Sequence, residues 1–107
     1  MSELIYLASP YSDPDANVRK WRYRDAISAL TELTRLGRIC FSPIVHSHPI
    51  VIDQDWEFWR RIDEEFLRRC DRMIVVKLHG WEQSIGVASE IEQAKALSMP
   101  IEYMEAP

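Results

Sequence analysis

Glu90 and Asp63 are the residues whose types and spacing could do chemistry in this sequence. Glu90 stands in "GWEQSIGVASEIEQA" (Gly80 to Ala94), two positions before Glu92. On a helix, residues two apart lie on opposite sides, so at most one of these carboxylates faces solvent in the ordinary way. On a helical wheel of about 100° per residue started at Ser84, Val87, Ile91, Ala94 and Leu97 form the apolar face. Glu90 falls inside it, and Glu92 falls outside, beside Lys95 and Ala88. Asp63 repeats the pattern in "WEFWRRIDEEFLRRC". Trp59, Ile62, Phe66, Leu67 and Cys70 share a face, Asp63 sits within it, and Glu64 and Glu65 turn outward. An inward carboxylate is costly unless it is paired, hydrogen-bonded or used. Either one alone reads as a cap or half of a buried ion pair. Two of them, both near a ligand-binding edge, favour a paired-carboxylate site, which serves glycosidic-bond chemistry.

The elements that must hold these carboxyls follow from the apolar pattern. "LIYLA" (Leu4 to Ala8) reads as a buried strand ended by Ser9-Pro10. "SDPDAN" supplies turn residues with Asp15 as N-cap. A helix is predicted over Ala16 to Leu36, with Ala26, Ala29, Leu30, Leu33 and Leu36 on its apolar face and Gly37 as its stop. Arg38 to Ser42 is a second strand. Residues 43–55 contain two prolines and no helical period, which predicts a long loop with an extended piece at Ile50 to Ile52. A helix over Trp56 to Cys70, a strand over Arg72 to Leu78, a loop "HGWEQS", a helix over Ile85 to Leu97 and a last strand "IEYM" complete the order. Apolar strands alternating with helices imply a parallel sheet covered on both faces. With right-handed crossovers this is a small doubly wound, three-layer α/β/α domain of Rossmann or flavodoxin type. It is mainly parallel, with four to five strands, and spans 1–107. Ligands in such folds bind past the carboxyl ends of the strands, here Ala8 to Tyr11, Ser42 to His48 and Leu78 to Ser84.

Composition narrows the class. A chain of 107 residues, 47% hydrophobic, builds one core and not two. The formal net charge is -4 and no run of five like charges occurs, so no basic surface is available to nucleic acid or to a membrane. No segment approaches the roughly 20 apolar residues of a membrane span. The start "MSELIYLASP" has no basic signal-peptide region. Cys40 and Cys70 form no C-x-x-C pair and read as reduced thiols of a cytoplasmic protein.

Other candidates surround the two carboxyls. Arg19 and Arg22, near the start of the first helix, could hold a phosphate beside the helix N-terminus, or pack as surface arginines. His46 and His48 with Asp53 and Asp55 hint at a metal, but H-x-H on a loop needs further ligands at fixed geometry, and lining a substrate pocket is the simpler role. Trp56 and Trp59 lie at helical spacing and read as core, which leaves Trp81, on the loop before Ser84, as the best ring to stack on a base. Neither G-x-G-x-x-G nor G-x-x-x-x-G-K-[ST] occurs, so no cofactor and no metal is expected.

In combination these segments are recognisable. "IYLASPYSDPD", the helical Asp in "RRIDEEFLRRCD" and "SIGVASEIEQA" resemble the nucleoside 2-deoxyribosyltransferase superfamily over nearly the whole chain. "SPYS", "FSPI.HSHPI" and "GW..S.GV..EI" are similar to its DUF1937 branch. The resemblance implies an enzyme that cleaves or transfers the N-glycosidic bond of a 2′-deoxynucleoside or its 5′-monophosphate. It implies Glu90 as nucleophile at C1′, Tyr6 as the tyrosine that orients it, and Asp63 as the residue assisting proton transfer. Ser84 and Gly86 fall in the S-x-G-V-x-x-E segment on the 5′ side of the sugar. A serine there, where the free-nucleoside branch has an aspartate, leans toward a monophosphate. The glycine-rich phosphate loop of the hydrolase branch is replaced by "SPYSDPDANVRKW", so Ser9, Arg19 or Arg22 would take that role. The start of its helix and Tyr6 would keep Glu90 charged. The alternatives are a silent nucleotide-binding module of the same fold and a His-dependent metal hydrolase. Small members of this family commonly associate, so a homo-oligomer is expected. Light scattering at working concentration should give a multiple of the chain mass, and a monomeric mass would refute it.

Overall fold

The computed structural model describes residues 2–107. Four strands, β1 (Leu4–Ala8), β2 (Ile39–Phe41), β3 (Arg72–Lys77) and β4 (Ile101–Glu105), form one sheet in the order β2-β1-β3-β4. Every pairing is parallel. Four α-helices connect them: α1 (Ala16–Arg35), α2 (Pro43–Ser47), α3 (Trp56–Arg68) and α4 (Ile85–Ala96). The predicted elements hold to within a few residues at their ends, and the sheet has four strands.

Strand alternation sorts the core into two layers. Ile5 and Leu7 of β1 and Ile74 and Val76 of β3 pack with Ala29 and Leu33 of α1. Tyr6 and Ala8 of β1 and Met73 and Val75 of β3 face the other way, onto Leu67, Val87 and Ala94. Burial on both faces explains why these strands read as unbroken apolar runs. The chain leaves β1 for β2 on one side and crosses back to β3 on the other. The strand order therefore reverses between β1 and β3, which opens a crevice past their carboxyl ends.

Two expectations are corrected. The stretch predicted as a long loop contains helix α2, and Ile50 to Ile52 form no strand. Ser42 caps this helix, its Oγ accepting from the N–H of Val45 at 3.2 Å, and Pro43 takes the first helical position, where a missing N–H costs nothing. Pro43 was therefore a start signal, and only Pro49 was a breaker. Leu36 and Leu97, assigned to apolar faces, lie just past their helices and are 72% and 46% exposed. Among the described residues no helix is long and apolar enough to cross a membrane.

Burial makes the stability of the sheet testable. Ile74 is fully buried, whereas Ile85 is 80% exposed at the rim of the crevice. Ile74→Ala should cost about 2–5 kcal/mol in chemical denaturation, and Ile85→Ala less than about 0.5 kcal/mol.

Candidate active site

Past the carboxyl ends of β1 and β3 lies a cleft of about 900 Å³. The β1 exit loop, α2, α3 and the start of α4 wall it. Tyr6 reaches it from the middle of β1: its side chain is fully buried in the α3/α4 layer, and its Oη donates a hydrogen bond to Oε2 of Glu90. Glu90 stands in the second turn of α4, and Gly86, Ser89, Glu90 and Gln93 form the stripe of that helix that lines the cleft. Opposite, α3 lines it with Trp56, Trp59, Arg60, Asp63, Glu64 and Leu67, a stripe of helical period. Asp55 caps α3 (Oδ1 from Phe58 N–H, 3.0 Å), and Ser84 caps α4 (Oγ from Val87 N–H, 3.2 Å).

Residues 3–106 match the family model described as "Domain of unknown function (DUF1937)". The chain belongs to the DUF1937 family. Two solved structures share its fold. A 2-deoxyribosyltransferase from Bacillus psychrosaccharolyticus is 24% identical, with a TM-score of 0.72 over 95% of this chain and 72% of its own. A 2-deoxyribosyltransferase from Leishmania mexicana is 20% identical, with a TM-score of 0.61 over 96% of this chain and 64% of its own. No curated protein matches the chain by sequence.

Several candidates of this DUF1937 chain meet at the cleft: Tyr6, Ser9, Arg22 and His48 line it, as do Asp63, Ser84, Gly86 and Glu90. Arg19, His46 and Trp81 do not. Arg19 donates to the backbone carbonyl of Asp13. His46 is exposed, its Nδ1 3.0 Å from Ser47 Oγ and its ring against Phe41 and Phe66. Trp81 packs on the core layer beneath α4. The tryptophans read as core, Trp56 and Trp59, are the ones that line the cleft. The apolar stripe assigned to α3 was thus partly a cleft wall, and of its members only Leu67 and Cys70 are buried. Tyr11, which bonds His48 Nδ1 at 2.7 Å, and Gln93 also line the cleft. The i, i+3 spacing of Gln93 from Glu90 was the signal available for the latter. Among the described residues no three His, Cys, Asp or Glu side chains converge as a metal site.

The electrostatics of the cleft are set by burial. Desolvation pushes Glu90 up to about 8; the Tyr6 hydroxyl opposes this, and the charge of Asp63 adds to it. Desolvation alone pushes Asp63 up to about 7, and its Oδ1 is buried without a hydrogen-bond partner. Tyr6 is raised too, by burial and by the Glu90 and Asp63 charges. Ser9 Oγ is a second buried oxygen without a partner. The expectation that the helix start and Tyr6 keep Glu90 charged is therefore corrected. Glu90 lies past the first turn, where the helix dipole acts, and burial outweighs its one hydrogen bond.

These shifts have a sign for stability. A carboxyl whose folded value is raised favours folding below its unfolded value of 4.5, and that contribution is lost as pH rises through about 8. Wild-type thermal stability should fall between pH 5 and pH 9, by up to roughly 4 kcal/mol from Glu90. Glu90→Gln should flatten that slope, and melts across the range would detect it.

Proposed function

We propose that the cleft cleaves, or transfers across, the N-glycosidic bond of a 2′-deoxynucleoside or its 5′-monophosphate, through a covalent bond between Glu90 and the sugar. One observation carries the reading. Tyr6, Asp63 and Glu90 converge on one cleft, with Glu90 hydrogen-bonded by Tyr6 and an Asp63 oxygen left without a partner. The shared fold with two 2-deoxyribosyltransferases supports it.

With Asp63 near 7 and Glu90 near 8, the pair holds about one proton between those two pH values. Attack needs Glu90 ionised, and departure of the base needs a proton donor. Both conditions are met if the proton sits on Asp63 once the sugar is bound. Tyr6 anchors Oε2 of Glu90 and leaves the other oxygen to attack. A Glu90 oxygen bonds to C1′, the C1′–N bond breaks, its electron pair stays on the base, and the base takes the proton from Asp63. Water then adds to C1′, returns a proton to Asp63 and frees Glu90; a second base in place of water gives transfer. The Ser84 hydroxyl accepts from Val87 N–H and keeps its own hydrogen to donate toward the 5′ end of the sugar. Trp59, one helical turn before Asp63, offers a ring to the base.

The test is release of free base from a panel of 2′-deoxynucleosides and their 5′-monophosphates. Glu90→Ala should lose roughly a thousandfold or more in kcat, and Asp63→Asn roughly 10²–10⁴-fold. The wild-type kcat/KM should follow a bell with limbs near pH 7 and pH 8, belonging to the pair rather than to either residue. Binding without base release would favour the silent nucleotide-binding module. Equal release by wild type and Glu90→Ala would remove Glu90 from the chemistry.

A further inference from the structure

The geometry points to Arg22 as a positioning residue: it latches the loop leaving β1 to the turn that leads into α4, and so fixes where Glu90 stands. The inference rests on the reading of Glu90 as nucleophile. Arg22 lies in the second turn of α1. Its Nη1 donates to the backbone carbonyls of Tyr11 at 3.3 Å and Ser12 at 2.9 Å. Arg19, one turn earlier, takes the next carbonyl, that of Asp13. Three consecutive carbonyls are therefore held by α1, in a loop that contains no glycine.

The other side of the same guanidinium meets Gly80. A Cβ on Gly80 would come 3.0 Å from Nη2 of Arg22, and Gly80 has φ +85°, a conformation that side-chain-bearing residues rarely adopt. Gly80 opens the single 3-10 turn Trp81–Gln83, accepting from Gln83 N–H at 3.2 Å. Ser84, the N-cap of α4, follows at once. A flat, five-donor group can satisfy carbonyls along one edge while its face or other edge lies against bare backbone; an ammonium cannot. Arg22 thus spans the two exit loops at the strand-order reversal, and its hold on Gly80 passes through Ser84 to the axis of α4.

The charges around it argue against a second role as phosphate ligand. The carboxyls of Asp13, Asp55, Asp63, Glu64 and Glu90 line the cleft. Its lining cations are Arg22 and Arg60, and Arg60 is paired with Glu57 and Glu64. A dianion would meet this excess of carboxyls with an arginine already committed to backbone carbonyls.

The experiment compares Arg22→Ala, Arg22→Lys, Gly80→Ala and the double variant Arg22→Ala/Gly80→Ala, with thermal melts to confirm folding. Amide hydrogen exchange on the free protein should quicken at residues 11–13 and also at 80–84 in Arg22→Ala. For any substrate turned over, kcat should fall roughly ten- to hundredfold with little change in KM. The loss should be alike for nucleosides and 5′-monophosphates, Arg22→Lys should not rescue it, and the double variant should be no worse than the more severe of the two single ones. Unchanged exchange at 80–84 would overturn the latch. So would a defect confined to the KM of monophosphates, which would make Arg22 a phosphate ligand. If the wild type releases base from no substrate, the reading of Glu90 fails, and the exchange data still decide the latch.

Discussion

Tyr6 belongs both to the sheet interior and to the cleft, and its hydrogen bond to Glu90 ties the two together. A fully buried phenol requires a partner for its hydroxyl, and a carboxyl sunk beside it requires a donor. Each answers the other's need, so the second turn of α4 is held in register with the central strand. The layer packing of Val75, Leu67 and Val87 against Tyr6 fixes the ring, and the ring fixes the carboxyl. Positions that look like ordinary core are in this way the support of the site.

The same burial that orders the pair also raises its proton affinities. Both carboxyls sit far above their ordinary range because water has been taken from them. That costs folding energy at alkaline pH, and it leaves two titrating groups within reach of neutrality, where acid–base chemistry is most effective. The cost to stability and the proposed reactivity fall on the same two side chains.

Much of this was legible in the residues. The alternation of apolar strands and helices predicted the layers, and the helical wheel picked out Glu90 and Asp63 because a polar residue in an apolar stripe marks a face turned from bulk water. What the wheel could not separate was core from cleft wall. Trp56 and Trp59 repeat at the same period whether they meet protein or line a crevice, so their spacing alone reads as core and points to Trp81 instead. The short helix at Pro43–Ser47 was hidden because proline signals both a stop and a start, and only the preceding serine distinguishes them. The contacts of Arg22 were beyond reach: which of Arg19 and Arg22 touches Gly80 depends on where two loops end, and no local pattern records that.

The all-parallel sheet carries a consequence for how the chain acquires its shape. β1 pairs with β3 at Ile5 and Arg72, and Tyr6 meets Glu90 across 84 positions of sequence. Parallel pairings require long closures before any of their contacts form, which makes such topologies slow to assemble. During synthesis α1 can cover Ile5 and Leu7 early, but Tyr6 and Ala8 on the other face must wait until α3 and α4 have followed. The cleft cannot be assembled by halves: no fragment ending before Glu90 contains the pair. The central strand, made first, is among the last to be completed.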